Sequence, residues 1–219
     1  MSAAPPFEVY FDFDNTITEF DVLDDIIQRF SINDDWQRAE EEWKSGLIGS
    51  RECLERQVSQ VRISPEALQA YLRTVAVDPA FGPLVAFLRA QRIEPVILSD
   101  SFTALIAPIL AHNQIDGLAT FCNELRLEGD RPLLSFPFFH AICSRAGNCK
   151  CSHLLRRDRP AGLRKIYIGD GRSDICPAGV CEILFAKGSL LEHYAPLRKD
   201  CVPFQTLGTV HAHLRELIK

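Results

Sequence analysis

Residues 7–16 read FEVYFDFDNT, and this stretch decides the fold. Phe7–Phe13 is short, β-branched and aromatic, and it follows Pro5-Pro6, so it reads as a buried strand. The strand runs out in carboxylates, with Asp12 and Asp14 two residues apart. Both can face one site if the chain leaves the pleat and enters a loop there. Two carboxylates so placed can bind a hard divalent cation through oxygen. An Asp-x-Asp pair alone also describes a solvated strand end.

Working outward, the next segment is helical in pattern. Asp21–Phe30 sets Val22, Leu23, Ile26, Ile27 and Phe30 on one face. Asp34 or Asp35 can cap a segment through Trp43 that Gly46 ends, and Ser50 can cap Arg51–Val61. Ser64-Pro65 opens Glu66–Val75, with serine as the cap and proline at the first helical position. Near Asp78-Pro79 the period changes. Helix Phe81–Arg92, strand Glu94–Leu98 and helix Phe102–Asn113 follow, with Ser101 as a cap for the last. Short strands Gly117–Cys122 and Glu124–Leu127 come next, and Arg131–Phe136 can return as a hairpin. Helix Lys150–Arg157, strands Lys165–Ile168 and Ile183–Phe185, and a closing helix Thr206–Ile218 complete the chain. Strands alternating with helices predict a doubly wound, parallel α/β sheet with right-handed crossovers. The expected division is a core domain of residues 1–16 and 79–219, with a helical domain of residues 17–78 inserted after the first strand.

Length and composition agree with such an arrangement. At 219 residues the chain falls between one and two domains, and 47% hydrophobic with 24% charged residues is ordinary globular usage. No run reaches the ~18 apolar residues of a membrane span, and the N-terminus carries no basic region or apolar core, so neither a membrane nor a secreted location is expected. A net charge of −5 argues against generic nucleic-acid binding and suits a cytoplasmic protein. Nothing in the sequence speaks to oligomeric state.

In doubly wound sheets ligands bind beyond the carboxyl ends of the strands. Three polar groups fall there: Asp12/Asp14, Ser99/Asp100 and the GDGRSD run Gly169–Asp174. Asp170 could complete a magnesium site, and Asp174 could join it or orient a neighbouring ligand. Ser99 and the amide that follows it would make a phosphate cradle. A lysine is then wanted to neutralise developing charge. Lys165 begins its strand, at the wrong end of the sheet, whereas Lys150 opens a helix just before that strand. Read singly, each of these is as well explained by a turn, a cap or a solvated charge.

Together, DFDNT at Asp12–Thr16, Ser99, Lys150 and GDGRSD resemble the haloacid dehalogenase-like (HAD) phosphohydrolases in residue type and order. The helical insert resembles that superfamily's C1 cap and points to the branch containing phosphoserine phosphatase. The resemblance implies Mg2+ as cofactor and a small-molecule phosphate ester as substrate. Asp12 would be the nucleophile and Asp14 the acid/base. Ser99 and Asp100 would hold the phosphoryl group, Lys150 would stabilise charge, and Asp12, Asp14 (through its carbonyl), Asp170 and Asp174 would form the metal site. It also implies that the glutamate which meets substrate in phosphoserine phosphatases is replaced by Asp21, which could equally be a helix cap. Their cap phenylalanine and arginine correspond to Ser50 and Gln57, unless Arg51 or Arg56 substitutes. FCNELRL (121–127), the NCKC around Lys150 and FAKGSLLEHY (185–194) look like methionine-salvage 2-hydroxy-3-keto-5-methylthiopentenyl-1-phosphate phosphatases. LSDS (98–101) and GDGRSDICP (169–177) look like phosphoethanolamine/phosphocholine phosphatases. Alternatives are a phosphoserine phosphatase, a phosphomutase-type transferase and a non-catalytic regulatory protein on the same scaffold.

Eight cysteines are the unusual entry in the composition. Cys122, Cys143, Cys149, Cys151 and His153 surround Lys150 in sequence and could hold structural zinc, although the spacing is not a CxxC pair; free thiols are the other reading. Cys53, Cys176, Cys181 and Cys201 look dispersed, as core or bland surface, and His211 and His213 read as surface.

Overall fold

The computed structural model describes residues 7–140, 143, 146–155 and 162–218. Strand β1 (Phe7–Phe11) is followed by four helices: α1 (Val22–Phe30), α2 (Asp35–Lys44), α3 (Ser50–Val58) and α4 (Pro65–Leu72). Then come α5 (Phe81–Ala90), β2 (Val96–Phe102), α6 (Thr103–His112), β3 (Ala119–Glu128) and β4 (Arg131–Ser135). The rest is α7 (Lys150–Leu154), β5 (Arg164–Gly169), a 3-10 turn at Arg172–Asp174, α8 (Ile175–Ala178), β6 (Ile183–Ala186), α9 (Gly188–Tyr194), β7 (Cys201–Pro203) and α10 (Leu207–Leu217).

The seven strands form one sheet in the order β4-β3-β2-β1-β5-β6-β7. All neighbours are parallel except the β3–β4 hairpin. The chain winds from β1 to one side, then returns to the other at β5. The crevice at that reversal is where a doubly wound sheet binds ligand. β1 is buried on both faces: Val9 and Phe11 join Phe81 and Leu84 in the larger core, while Tyr10 packs with Leu98, Tyr167 and Leu184 on the opposite face.

The helical insert begins and ends side by side. Thr18 bridges Val77, and Asp78 N–H donates to the Ile17 carbonyl at 2.8 Å. Its apolar stripe (Leu23, Ile26, Leu54, Val58, Leu68) is continuous with the core that holds Leu105 of α6. Capping sets the helix starts. Asp21 caps α1 by accepting the Asp24 N–H, and Ser64 caps α4 by accepting that of Ala67, with Pro65 following. Gly46, at φ 80°, turns the chain after α2.

Several boundaries differ from expectation. Gly49, not Ser50, precedes α3, and Ser50 reaches across to Asp100. Strand β2 runs on through Ser99–Ser101, so α6 starts at Thr103 and has no serine cap. The two short strands expected at 117–127 are one, β3, because its pairing passes from β2 to β4 without a break in the chain. Helix α7 ends at Leu154, and positions 156–157 of the expected helix lie outside the described residues. Strand β7 and helix α9 add to the elements foreseen.

Candidate active site

The loop after β1, the end of β2, the start of α7 and the turn after β5 meet at one place. Asp12 lies one residue past β1, where its N–H still donates to the Ile168 carbonyl of β5 at 2.9 Å. Its carboxylate Oδ1 accepts a 2.7 Å hydrogen bond from Lys150 Nζ, and the same ammonium donates to Asp174 Oδ1 at 2.7 Å and to Ser173 Oγ at 3.2 Å. Lys150 is thus a buried cation between two buried carboxylates. Burial alone would strip its proton, but Asp12, Asp174 and Asp100 outweigh that and raise its pKa. Asp12 is pushed the other way from an ordinary carboxyl: burial and the charge of Asp174 raise it despite the lysine.

Asp174 is held on every side. Tyr167 Oη donates to its Oδ1 at 2.6 Å, and the amides of Asp170 and Gly171 donate to Oδ2 at 3.1 Å each. A Cβ on residue 169 would sit 2.5 Å from that Oδ2, so only glycine fits there. Asp170 is oriented by Asn15 Nδ2 at 2.7 Å and by the Thr16 hydroxyl at 3.0 Å. Asn15 adopts φ 53°, a conformation that asparagine tolerates and that bends the DFDNT loop over Asp170. Asp14 turns away from that cluster, and its Oδ1 accepts the Val22 N–H at the start of α1 at 3.0 Å. Burial raises the Asp14 carboxyl to about 6, against the hydrogen bond from the Val22 amide.

On the other side of Asp12, the pairing of β2 with β3 breaks between Leu98 and Phe102. The break frees Ser99–Ser101 from the ladder. Ser99 Oγ accepts the Ser101 N–H at 2.9 Å, which leaves its own proton to donate. The Asp100 carboxylate is engaged by other residues: it accepts from Asn148 N–H at 3.0 Å and from the Ser50 hydroxyl at 2.9 Å. Asn148 also donates to the Ser99 and Phe121 carbonyls at 2.9 and 2.8 Å. Burial raises Asp100 while Lys150 lowers it.

A cavity of about 140 Å³ lies over these residues. Its floor holds Asp12, Asp14, Ser99, Asp100 and Asp170–Ser173, and its roof, from the helical insert, holds Asp24, Glu40, Trp43 and Gln57, with Asp21 at the edge. Asp21 is exposed at the cavity edge, yet the crowding of the crevice and the charge of Asp14 raise its carboxyl. Burial and Glu40 raise Asp24 to about 6. Neither Arg51 nor Arg56 lines the cavity. Arg51 pairs with Glu55 and lies over Phe136 and Phe139, and Arg56 pairs with Glu42 and Glu52.

Of the candidate site residues, Asp12, Asp14, Asp21, Ser99, Asp100 and Asp170 line the cavity, while Lys150 and Asp174 lie behind Asp12 in its hydrogen-bond network. The sequence reading passed over Tyr167, Asn148 and the roof residues Asp24, Glu40 and Trp43. Tyr167 carried one signal, a hydroxyl inside an otherwise apolar strand. Among the described residues the zinc alternative does not assemble: Cys122 contacts Thr103, and His153 bonds Asn148 and packs on Phe121 and Phe138. Among the described residues, the carboxylates of Asp12, Asp170 and Asp174 are the ones whose ligand atoms gather, all within 4.8 Å. The terminal histidines are less idle than expected, since His211 packs on Phe87 and His213 on Phe185.

The family described as Putative Phosphatase matches residues 7–183. The chain belongs to that family. It is a phosphoric monoester hydrolase of the HAD superfamily. The phosphatase is 26% identical over 213 residues to the 2-hydroxy-3-keto-5-methylthiopentenyl-1-phosphate phosphatase of Brevibacillus brevis, covering 95% of this chain and 94% of that one. It is 28% identical over 223 residues to Pdp3-interacting factor 1 of Schizosaccharomyces pombe, covering 95% of each. Among solved structures it resembles a phospho-aspartyl intermediate analogue of phosphoserine phosphatase, with TM-score 0.72 at 16% identity over 99% of this chain and 100% of that one. A phosphoserine phosphohydrolase-like protein from Francisella tularensis gives TM-score 0.67 at 17% identity over 97% and 100%. These structures share the fold. No helix among the described residues is long and apolar enough to cross a membrane.

Proposed function

We propose that the phosphatase hydrolyses a small phosphate monoester in two steps through an aspartyl-phosphate on Asp12. The observation that carries this reading is the Asp12 carboxylate, held at Oδ1 by buried Lys150 and lining a cavity shared with Asp14, Ser99 and Asp170. Asp12 Oδ2 attacks phosphorus as the bond to the ester oxygen breaks. Asp14, with its carboxyl raised to about 6, gives its proton to that leaving oxygen. The resulting carboxylate then takes a proton from the water that attacks the phosphoryl group and releases Asp12. The Ser99 hydroxyl, the loop amides and Lys150 hold the phosphoryl oxygens. Asp174 is a positioning residue, since all its hydrogen bonds go to Lys150, Tyr167 and backbone amides.

The donor set suits Mg2+. Asp12 and Asp170 present hard oxygens, and burial, followed by the charge of Asp174, raises both carboxyls despite Lys150. With the Asp14 carbonyl they would hold the ion, which neutralises phosphate charge when bound. The insert of residues 17–78 acts as a cap that closes the site to folded proteins.

The leaving group carries a cationic nitrogen. Three roof and edge carboxylates (Asp21, Asp24 and Glu40) with Trp43 favour an amine or quaternary ammonium. Only Glu40 has a cation partner among the described residues, Lys44 at 3.0 Å. A substrate carboxylate, as in phosphoserine, would meet repulsion there. The test is a release assay for inorganic phosphate with Mg2+ across phosphoethanolamine, phosphocholine, phosphoserine, sugar phosphates and the methionine-salvage enol phosphate. Amine esters without a carboxylate are expected to show the highest kcat/KM. Preference for the enol phosphate overturns the amine assignment and leaves the chemistry standing. Asp12→Asn is expected to lose about 10⁴-fold or more in kcat; full turnover in that variant sinks the mechanism.

A further inference from the structure

Outside the cavity, the feature without a role is a thiol pair behind the Lys150 helix. Cys151 follows the lysine directly on α7, and Cys176 stands two residues beyond Asp174 on α8. Their sulfurs lie 2.6 Å apart, although the residues are 25 positions distant in sequence. Cys151 is buried and Cys176 is exposed. We propose that Cys151 and Cys176 are a modification site, oxidised to a reversible disulfide by exchange with a small-molecule disulfide such as oxidised glutathione.

Bond formation asks little of the fold, since the sulfurs must close only to about 2.05 Å and both sit on short helices that already pack together. The exposed sulfur meets the reagent first. Cys176 thiolate attacks one sulfur of glutathione disulfide and releases one glutathione thiolate, leaving a mixed disulfide on Cys176. Cys151, after losing its proton to solvent, attacks Cys176 Sγ and releases the second glutathione. Two protein thiols and one glutathione disulfide thus become one protein disulfide and two glutathiones, with no other oxidant. Burial holds the Cys151 thiol protonated, so the second step is the slower one, and proximity drives it. The bond would staple the helix that starts with Lys150 to the turn that ends in Asp174, holding together the two ends of a buried ion pair.

The test uses the full chain, reduced and then incubated with glutathione disulfide. Thiol titration under denaturing conditions, peptide mass mapping and a thermal melt are the readouts. Wild type is expected to lose two of its eight thiols, to retain no glutathione and to yield a Cys151–Cys176-linked peptide that dithiothreitol releases. Its Tm is expected to rise by roughly 5–10 °C, as closing a loop of this length constrains the unfolded chain. Cys151→Ser should instead keep one glutathione on Cys176, and Cys176→Ser should form no link at Cys151. Any of four results overturns the proposal: a lasting glutathione adduct on Cys176 in wild type, a link through Cys143 or Cys149, an unchanged or lower Tm on oxidation, or stoichiometric zinc that must be removed before the pair reacts.

Discussion

The floor and the roof of the cavity are both acidic, but they manage their charge differently. On the floor, Asp12 and Asp174 share one buried ammonium, and Asp174 is further satisfied by Tyr167 and two amides. The partners are far apart in sequence, 138 residues in the case of Asp12 and Lys150. On the roof, the pairs stay within the helical insert and most are four residues apart, although Arg56 of α3 also reaches Glu42 of α2. Lys44 and Glu40, Arg38 and Glu42, and Arg51 and Glu55 are each four apart on a helix, and Asp24 has no ion pair among the described residues. A floor whose groups hold one another is pre-organised, as the proposed chemistry on a phosphoryl group requires. A roof with unbalanced charge is left to be completed by what it binds.

The largest break in this comparison is expected at Asp14, which sits where floor meets roof. Asp14→Asn should cut kcat by about 10²–10⁴-fold. It should also change the pH dependence of stability. A carboxyl raised to about 6 in the fold lends stability that is fully present below its unfolded pKa, near 4, and lost as pH rises through about 6. The Tm of metal-free wild type should therefore fall between pH 4.5 and 7.5 by more than that of the variant. Equal slopes would show that Asp14 titrates as an ordinary carboxyl.

Lys150→Met comes next. Loss of the ammonium should lower kcat by about 10²–10³-fold, as for removal of one charge-stabilising donor. It should also cost about 3–5 kcal/mol of stability, because Asp12 and Asp174 are left buried and uncompensated. Mg2+ should raise the Tm of the variant more than that of wild type, since the ion supplies charge beside the same carboxylates. Chemical denaturation with and without the ion measures this, and an equal gain in both proteins would contradict the shared-charge reading.

The smallest effect tests the roof. Asp24→Asn should raise KM for phosphoethanolamine about tenfold, some 1.4 kcal/mol, with kcat nearly unchanged, and leave neutral sugar phosphates unaffected. A uniform change across both substrate types would mean that Asp24 shapes the cavity and does not recognise charge.

How much of this was legible beforehand follows the same division. Floor residues could be read because strand ends are marked by a change of period, and carboxylates at three such ends converge in any doubly wound sheet. Ser99 does border the cavity, although not at a simple strand end: the ladder breaks at Ser99–Ser101 while the strand continues. Ser50 was misjudged as a cap because a serine before a helical pattern looks the same whether its hydroxyl turns inward or across a cleft. Its partner Asp100 is 50 residues away. Cys176 looks dispersed in the sequence for the same reason, since Cys151 stands 25 positions away on a different element.

The alternation of strands and helices, the insertion after the first strand and the carboxylates at the strand ends were determined by the sequence itself. They rest on local periods, caps and turn residues, which act over a few positions. Which carboxylate carries the lysine, which is pinned by amides, which faces the roof, and which two thiols meet were decided only in the folded chain. Those outcomes depend on distances of a few ångströms between segments tens to more than a hundred residues apart. Burial then makes each such contact matter, because a charge removed from water is stabilised by its neighbours or not at all.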